Sequence, residues 1–209
     1  MEVLLTGFEP FDGQRTNPSW EAANTVRPSG YELTTLRLPC VFDESLEVLE
    51  EALGARRYDV VVSVGQAGGR PHVTPERVAV NLNDARIPDN AGNQPVDTRV
   101  VPDAPTAYFS TLPVKACTAA LTAAGIPASV SHTAGTFVCN HVFYGLMHLV
   151  ATKHPHLKAG FVHVPYTPDQ TTTAPSLPLE TTARALDLII TTTLNTPQDL
   201  HTPIGGTLH

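Results

Sequence analysis

The 209-residue sequence predicts an α/β fold: a single-domain α/β/α sandwich around a mixed, largely parallel central sheet. Short apolar runs alternate along the chain with segments of helical period. One apolar run, residues 59–65 (DVVVSVG), is β-branched and ends at a glycine, which is typical of a central strand covered on both faces. The length and the 42% hydrophobic content suit one domain with a sizeable core. We therefore expect one domain over residues 1–209, with residues 197–209 as a loose tail.

The first half of the chain is predicted to supply three strands and two helices. Asn17 can cap the first helix, because Pro18 follows it at a position where a helix needs no backbone donor. The second helix has apolar residues every three or four positions and glutamates on its other face. The predicted elements are a strand at 3–6, a helix from about residue 17, a strand at 33–38, a helix at 42–54 and a strand at 59–65.

The second half contains a long irregular segment, residues 84–105, which is rich in Pro, Asn, Asp and Gly. Segments of this length without regular structure are usually functional. Further on, an apolar stripe from Val138 to Val150 recurs every three or four residues and predicts a helix. The other predicted elements are a strand at 77–83, a helix at 113–124, a strand at 126–131, a strand at 159–165 and a helix at 179–194.

Composition excludes several classes of function. The net charge is −7 and no basic cluster is longer than Arg56-Arg57, which argues against a nucleic-acid partner. Three cysteines in a chain of this length do not form a disulfide framework and favour a reducing compartment. Residues 1–7 lack the pattern of a signal peptide, and no apolar run approaches the ~18 residues that span a bilayer. We expect a cytoplasmic protein that binds a small or peptide ligand and no membrane.

Cys139 points most directly to chemistry. Of the three cysteines, it alone follows a glycine-bearing turn at the start of a predicted helix, where free N–H groups and the helix dipole favour an anion. A thiol in that position is expected to be acidified and nucleophilic. The predicted strand at 126–131 would end just before this turn, and open α/β sheets bind ligands beyond the carboxyl ends of their strands. The alternative is that Cys139 only packs in the core, as free cysteines often do.

A thiolate nucleophile needs a proton partner, and that partner needs an orienting group. His163 ends a buried apolar run just before Pro165, so its imidazole should emerge at the end of a strand. Glu76, which follows the glycine-rich loop at 65–70, is the candidate carboxylate. The alternatives are a core histidine with both nitrogens satisfied, and a surface ion pair between Glu76 and Arg77 that would contribute little.

Two other kinds of site are compatible with the sequence. The loop at 65–70 could cradle phosphate, as in a nucleoside-phosphorylase-like transferase, although it lacks the GxxxxGK[ST] pattern. Cys139, His141 and His148 could form a non-enzymatic thiol or metal-binding module, and His154 and His156 could also bind a metal. The spacings match neither a zinc finger nor HExxH.

Several segments together resemble the pyroglutamyl-peptidase I (pyrrolidone-carboxylate peptidase) family of cysteine peptidases, over about residues 3–170. Residues 7–13 (GFEPFDG) are similar to the family's Gly-Phe-x-Pro-Phe-x-Gly motif, residues 84–90 form a further block, and His163 lies in a segment similar to its histidine region. The glutamate signature is matched at Gly65, Gly68, Val73, Thr74, Glu76, Arg77, Val78, Ala79 and Asn81. The cysteine signature is matched at Ser131, Ala134, Gly135, Phe137, Val138, Cys139, Asn140 and Tyr144.

The resemblance implies a role for each site residue. Cys139 would be the nucleophile, His163 its proton partner and Glu76 the group that orients His163. Arg86 would help to stabilise the oxyanion. The pocket for a five-membered lactam ring would be lined by Phe8, Phe11, Gln66, Ile87, Phe137 and Val138. Two positions depart from the family pattern, because Thr133 stands where serine is usual and Cys40 where threonine is expected.

The predicted function is therefore that of a cysteine peptidase that removes N-terminal pyroglutamate from peptides through an acyl-enzyme on Cys139. A flat, mostly apolar lactam without a free α-amine suits a pocket of phenylalanines with a few polar partners. The resemblance implies no metal or organic cofactor. It also implies a homo-oligomer, a tetramer or a dimer, with pyroglutamyl peptides as substrates.

Overall fold

The structure is a computed structural model that describes residues 1–206. Its elements follow one another as β1 (Glu2–Phe8), α1 (Pro18–Thr25), β2 (Glu32–Leu38), α2 (Glu44–Ala55), β3 (Val60–Gln66), β4 (Thr74–Pro75), β5 (Val78–Val80), β6 (Ala107–Phe109), α3 (Val114–Ala123), α4 (Val138–Thr152), β7 (Lys158–Val164) and α5 (Leu179–Asn195).

The central sheet has the strand order β2-β1-β3-β7-β4. The first four of these strands are parallel and β4 is antiparallel to β7, while β5 and β6 form a separate antiparallel pair. Because β1, β3 and β7 are parallel, their carboxyl ends, at Phe8, Gln66 and Val164, lie along one edge of the sheet. The predicted α/β fold with a mixed, largely parallel sheet is confirmed.

Each face of the sheet has its own hydrophobic core. Side chains alternate between the faces of a strand, so neighbouring residues such as Leu4 and Leu5 belong to different cores. One core contains buried residues of α1, α3 and α5, and the other contains those of α2 and α4. Helix α4 is buried along most of its length, which fixes the position of its amino-terminal end.

The start of α1 follows the sequence prediction. Asn17 Oδ1 accepts a hydrogen bond from the Ser19 N–H at 3.1 Å, and Pro18 is the first helical residue. Helix α1 packs so closely on β1 that a Cβ at Gly7 would lie 2.5 Å from the Trp20 Cα. Glycine is therefore required at position 7 by the approach of two backbones.

Two strand predictions are wrong. Residues 126–131 form no regular strand and meet β4 and its neighbours only through isolated bridges, Val73–Ala128 and Glu76–Ser131. The ladder is interrupted between these two bridges because Pro75 of β4 has no N–H to donate to the Ser129 carbonyl. The predicted strand at 77–83 is shorter in the structure and covers Val78–Val80. It pairs with β6 outside the central sheet, and the sequence pattern did not indicate this pairing.

Residues 197–206 contain no helix or strand, but hydrogen bonds attach them to α3. The Asp199 carboxylate accepts from the backbone N–H groups of Lys115 and Ala116 at 3.1 and 2.9 Å, at the first turn of α3, where a negative charge is favourable. Lys115 Nζ donates to the Thr202 carbonyl at 2.7 Å. The rest of the predicted tail, residues 207–209, lies outside the described residues.

Candidate active site

The predicted nucleophile lies at the edge of the sheet where the parallel strands end. Cys139 is the second residue of α4, and a Cβ at Gly65 would lie 2.6 Å from Cys139 Sγ. The register of β3 and β7 pairs Gly65 with His163, which places their side-chain directions on one face of the sheet. The glycine therefore leaves room for the thiol on the same face as the His163 imidazole.

Glu76 and His163 are in direct contact. His163 Nδ1 lies 2.7 Å from Glu76 Oε1, and both residues are buried, with 4% and 0% of their surface exposed. The contact follows from the strand pairing, because β4 places Thr74 opposite His163 and Glu76 follows two residues later on the same face. With Nδ1 bound to the carboxylate, His163 Nε2 has no hydrogen-bond partner within residues 1–206. A core histidine with both nitrogens satisfied does not describe this arrangement.

The ion pair of Glu76 is with Arg70 and not with Arg77. Arg70 Nη1 donates to Glu76 Oε1 at 2.6 Å. Burial alone would raise the pKa of Glu76, but the hydrogen bond from His163, the nearby hydroxyl of Ser131 and the charge of Arg70 together hold this pKa below its usual value. Glu76 is therefore an ionised carboxylate at neutral pH. The sequence placed Arg70 only at the end of a glycine loop, and nothing in its spacing to Glu76 indicated the pair.

The acidity expected for the Cys139 thiol is not found. Burial raises its pKa to about 12, and the negative charge of Glu76 acts in the same direction. The positive charge of Arg70 and the residue's own N–H at the helix start lower the pKa, but by less. The helix dipole is outweighed because Sγ lies in a desolvated position near a carboxylate. A thiol with a raised pKa keeps its proton at neutral pH, so a base has to remove that proton before the sulfur can act as a nucleophile.

The first turn of α4 leaves its donors available. Phe137 occupies the N-cap position in an extended conformation, and its side chain makes no capping hydrogen bond. Backbone N–H groups at such an uncapped helix start attract anions. The turn before α4 is held to the irregular segment, because Asp84 N donates to the Thr136 carbonyl at 3.0 Å and Thr136 Oγ1 donates to the Asp84 carbonyl at 2.7 Å.

The aromatic residues predicted for the pocket are not equivalent. Phe11 and Phe137 are half-buried and pack with their ring centroids 6.2 Å apart. Phe42, which the sequence analysis did not assign to the site, packs edge-on against Phe137 at 5.4 Å. Phe8 is only 2% exposed and packs on Phe161 of β7 at 6.3 Å, so its ring has much less free surface than that of Phe11. Val138 is 1% exposed and has almost no free side-chain surface.

The remaining predicted pocket residues lie on loops and strand ends. Gln66 is the last residue of β3, and its Oε1 accepts a hydrogen bond from Gln170 Nε2 at 3.0 Å. Ile87 is half-buried and Arg86 is exposed, and both lie in the segment that Asp84 ties to the turn before α4. Within residues 1–206, the Arg86 guanidinium forms no ion pair.

The three cysteines differ in exposure. Cys139 is partly exposed, whereas Cys40 and Cys117 are buried. Burial raises the pKa of Cys40, and it raises that of Cys117 to about 12. Cys40 nevertheless lies in the same apolar cluster as the site, and its N–H donates to Glu9 Oε1 at 3.0 Å. Cys139 is the thiol that a substrate can reach.

The alternative metal site is not assembled. His141 Nε2 accepts from the Asp43 N–H and His141 Nδ1 contacts Asn83 Oδ1, both at 3.1 Å, while His148 Nδ1 contacts the Tyr108 hydroxyl at 3.0 Å. Across residues 1–206, no group of three or more His, Cys, Asp or Glu side chains is arranged to hold a metal ion. In the same part of the chain, no helix combines the length and apolarity needed to cross a bilayer.

The glycines of the loop at 65–70 serve packing and chain reversal. A Cβ at Gly68 would lie 2.2 Å from the Tyr166 hydroxyl oxygen, and Gly69 has a φ of +87°. Position 69 is therefore a left-handed position that favours glycine. These requirements account for the loop's composition without a bound phosphate.

Comparisons with known proteins agree with this geometry. A family model described as pyroglutamyl peptidase matches residues 1–196. The pyrrolidone-carboxylate peptidase of Streptomyces coelicolor is 58% identical over 98% of both chains, and that of Bacillus subtilis is 52% identical over 100% of this chain and 99% of the relative. The crystal structure of pyroglutamyl peptidase I from Bacillus amyloliquefaciens, 48% identical, superposes with a TM-score of 0.93 and covers 95% of this chain and 99% of its own.

Proposed function

The chain belongs to the pyroglutamyl peptidase family of cysteine peptidases, and from this premise we propose that Cys139, His163 and Glu76 hydrolyse the bond that follows an N-terminal pyroglutamyl residue. The observation that carries the proposal is the contact between His163 Nδ1 and the buried Glu76 carboxylate at 2.7 Å. This contact leaves His163 Nε2 without a partner within residues 1–206. The imidazole lies on the same face of the sheet as Cys139 Sγ. These contacts support a nucleophile, a base and an orienting group in the order that covalent catalysis requires.

The first half of the reaction forms an acyl-enzyme. Cys139 Sγ attacks the carbonyl carbon of the pyroglutamyl residue while His163 Nε2 takes the thiol proton. Removing the proton during attack suits a thiol whose pKa is raised to about 12. The negative charge that develops on the carbonyl oxygen is stabilised by uncapped N–H groups at the start of α4, with Arg86 as a further candidate donor. His163 then protonates the departing amine, the C–N bond breaks and a thioester remains.

The second half releases pyroglutamic acid. His163 Nε2 takes a proton from water, and the resulting hydroxide attacks the thioester carbon. When the C–S bond breaks, the sulfur recovers a proton from His163 and the enzyme returns to its starting state. Ionised Glu76 stabilises the imidazolium that forms transiently in both halves and keeps Nε2 directed at the site.

Substrates are proposed to be peptides with an N-terminal pyroglutamyl residue. The half-buried rings of Phe11 and Phe137 offer apolar surface for the flat lactam, with Gln66 and Ile87 beside the same strand ends and loops. A phosphate-dependent transferase is not favoured, because the family and relatives that match the chain are peptidases.

A chromogenic pyroglutamyl amide tests the proposal. Wild-type protein should release the chromophore without added phosphate and should leave the corresponding prolyl amide almost untouched. The Cys139→Ser variant should lose activity by a factor on the order of 10⁴ or more. The matched variant Cys117→Ser changes a thiol that is fully buried on α3 and should remain active. No hydrolysis by the wild type, or equal losses in the two variants, would contradict the proposal.

We further propose that the protein is cytoplasmic and forms a homo-oligomer. The three unpaired cysteines support a reducing compartment, and the family resemblance suggests a dimer or a tetramer. Phe109 on β6, 70% exposed, is an apolar side chain that an association between copies could cover. Light scattering coupled to size-exclusion chromatography measures the mass of the protein in solution. A monomeric mass at micromolar concentration would contradict the proposed homo-oligomer.

A further inference from the structure

Arg70 connects β4 and Glu76, which follow it closely in sequence, to the turn before α4, which lies 61 to 63 residues further along the chain. It ends the glycine loop that follows β3, and its guanidinium lies between β4 and the turn before α4. Nη1 donates to Glu76 Oε1 at 2.6 Å and to Thr74 Oγ1 at 2.9 Å. On the other side, Nη1 donates to Ser131 Oγ at 3.2 Å and Nη2 to the Thr133 carbonyl at 2.8 Å.

The loop is built to deliver this side chain. Arg70 N donates to the Ala67 carbonyl at 3.2 Å and so closes a turn whose third residue, Gly69, has a φ of +87°. Gly68 packs beneath Tyr166 without room for a Cβ. The two glycines let the chain reverse within a few residues of Gly65, so that Arg70 returns toward the edge of the sheet beside Glu76.

Glu76 needs a compensating cation. The residue is completely buried, and its Oε2 has no hydrogen-bond partner within residues 1–206. A buried carboxylate without a positive partner is strongly disfavoured. Arg70 contacts the carboxylate, and its guanidinium carries a permanent positive charge.

We propose that Arg70 is a positioning residue for the hydrolysis, which fixes the ionised Glu76 against His163 and holds the carboxylate to the turn that leads to Cys139. The inference rests on the proposed function. Arg70 acts through Glu76 and does not touch the substrate. Lysine could supply the charge but not the planar fork that binds Glu76 and Thr133 together.

Variants of Arg70 and Arg77 provide the test. Arg77 is the matched control, because it adjoins Glu76 in sequence and forms no ion pair within residues 1–206. On a pyroglutamyl amide, Arg70→Ala should lower kcat by roughly 10-fold or more, since a misplaced catalytic group is costly, while KM changes much less. Arg70→Lys should recover part of kcat, and Arg77→Ala should match the wild type.

The pH profile separates positioning from a merely structural role. The charged or titratable groups that face Glu76 are His163 on β7, Cys139 on α4 and Arg70 itself. Removing Arg70 removes a cause that lowers the pKa of Glu76, so the acid limb of kcat/KM should move to higher pH.

Chemical rescue is a second test. The Arg70 side chain borders an open cavity of about 240 Å³, so added guanidinium ion can reach the space that Arg70→Ala leaves. Low concentrations of guanidinium ion should therefore restore part of kcat in Arg70→Ala and should not restore kcat in Glu76→Gln.

Unchanged kcat in Arg70→Ala, or an equal loss in Arg77→Ala, would overturn the inference. A folded Arg70→Ala enzyme with reduced kcat but an unmoved acid limb would also overturn it. The wild-type assay keeps the two proposals apart. A wild type without pyroglutamyl amidase activity would remove the proposed function, whereas an active wild type with an equally active Arg70→Ala variant would remove only the role of Arg70.

Discussion

At the scale of single residues, the proposed chemistry starts from a Cys139 thiol that keeps its proton in the free enzyme. Two opposing effects act on Cys139. The helix start and Arg70 lower its pKa, while burial and the Glu76 carboxylate raise it, and the raising effects are larger. In the proposed mechanism, His163 therefore acts as a general base and not only as the partner of a preformed thiolate.

Alkylation of the free enzyme by iodoacetamide should report this neutral thiol. Only the thiolate reacts, so a raised pKa means that the rate constant for labelling Cys139 keeps increasing with pH beyond about 8.5, the ordinary thiol value. Mass spectrometry of the labelled Cys139 peptide at a series of pH values gives the rate constant. A plateau that begins below about pH 6 would contradict the account, since it would indicate a thiolate–imidazolium pair in the resting state.

Phe8 and Phe11 should respond differently to truncation. Phe8 is 2% exposed, so Phe8→Ala should destabilise the fold by about 3–5 kcal/mol, the usual cost of a buried aromatic. Phe11 is half-buried beside Phe137, so Phe11→Ala should cost ~1–3 kcal/mol in kcat/KM for a pyroglutamyl amide, with a smaller effect on stability. Urea unfolding and steady-state kinetics of both variants measure these effects. Unchanged kinetics in a folded Phe11→Ala enzyme would exclude Phe11 from the pocket.

At the scale of elements, α4 organises the site from a buried position. Its first turn carries Cys139, and one residue later the Asn140 side chain clamps β5 through Val80 N at 3.0 Å and Val80 O at 2.9 Å. His141 then binds the backbone before α2 and the Asn83 side chain. The helix was predictable because its apolar stripe is local. The clamps were not, since each joins α4 to a segment about 60 to 100 residues away.

Acidification should weaken the His141 contacts. Burial lowers the pKa of His141, although Asp43 offsets part of this effect. The unfolded chain therefore binds this proton more readily, and the contribution of His141 to stability is present above about pH 6.5 and is lost as the pH falls toward the lowered pKa. The wild type should lose more stability between about pH 7.5 and 5.5 than His141→Gln, while His148→Gln should behave as the wild type. Urea midpoints at the two pH values measure this, and identical losses in all three proteins would contradict it.

At the scale of the whole molecule, the sequence predicted the architecture and the edge of the sheet where the site lies. Alternating strands and helices imply parallel strands, and the ends of parallel strands meet at one edge, so the proximity of Gly65 and His163 follows from the fold class. The motifs around Glu76 and Cys139 then assigned residues to that edge. The fold class was predictable because it depends on local patterns and one general rule of topology, whereas the roles of the residues at this edge stay predictions.

Contacts between residues that are far apart in sequence could not be predicted from local sequence patterns. Arg70 meets Ser131 across 61 residues, and no local pattern distinguishes Arg70 from Arg77 as the partner of Glu76. Phe8 is buried and packs against Phe161 of β7, a contact across more than 150 residues that its local motif could not show. The acidity expected of Cys139 was wrong for the same reason, because a helix start was visible in the sequence but the desolvation around Sγ was not.

Labelling with a pyroglutamyl chloromethyl ketone, an alkylating reagent shaped like the substrate, tests the central claim most directly. If Cys139 is the nucleophile beneath a lactam pocket, one equivalent should inactivate the enzyme, peptide mapping should locate the adduct on Cys139, and pyroglutamic acid should slow the reaction by competition. Cys139→Ser should remain unlabelled, and Cys117→Ser should label as the wild type. Inactivation with the adduct on Cys40, Cys117 or another residue, or full activity retained after Cys139 is modified, would contradict the account.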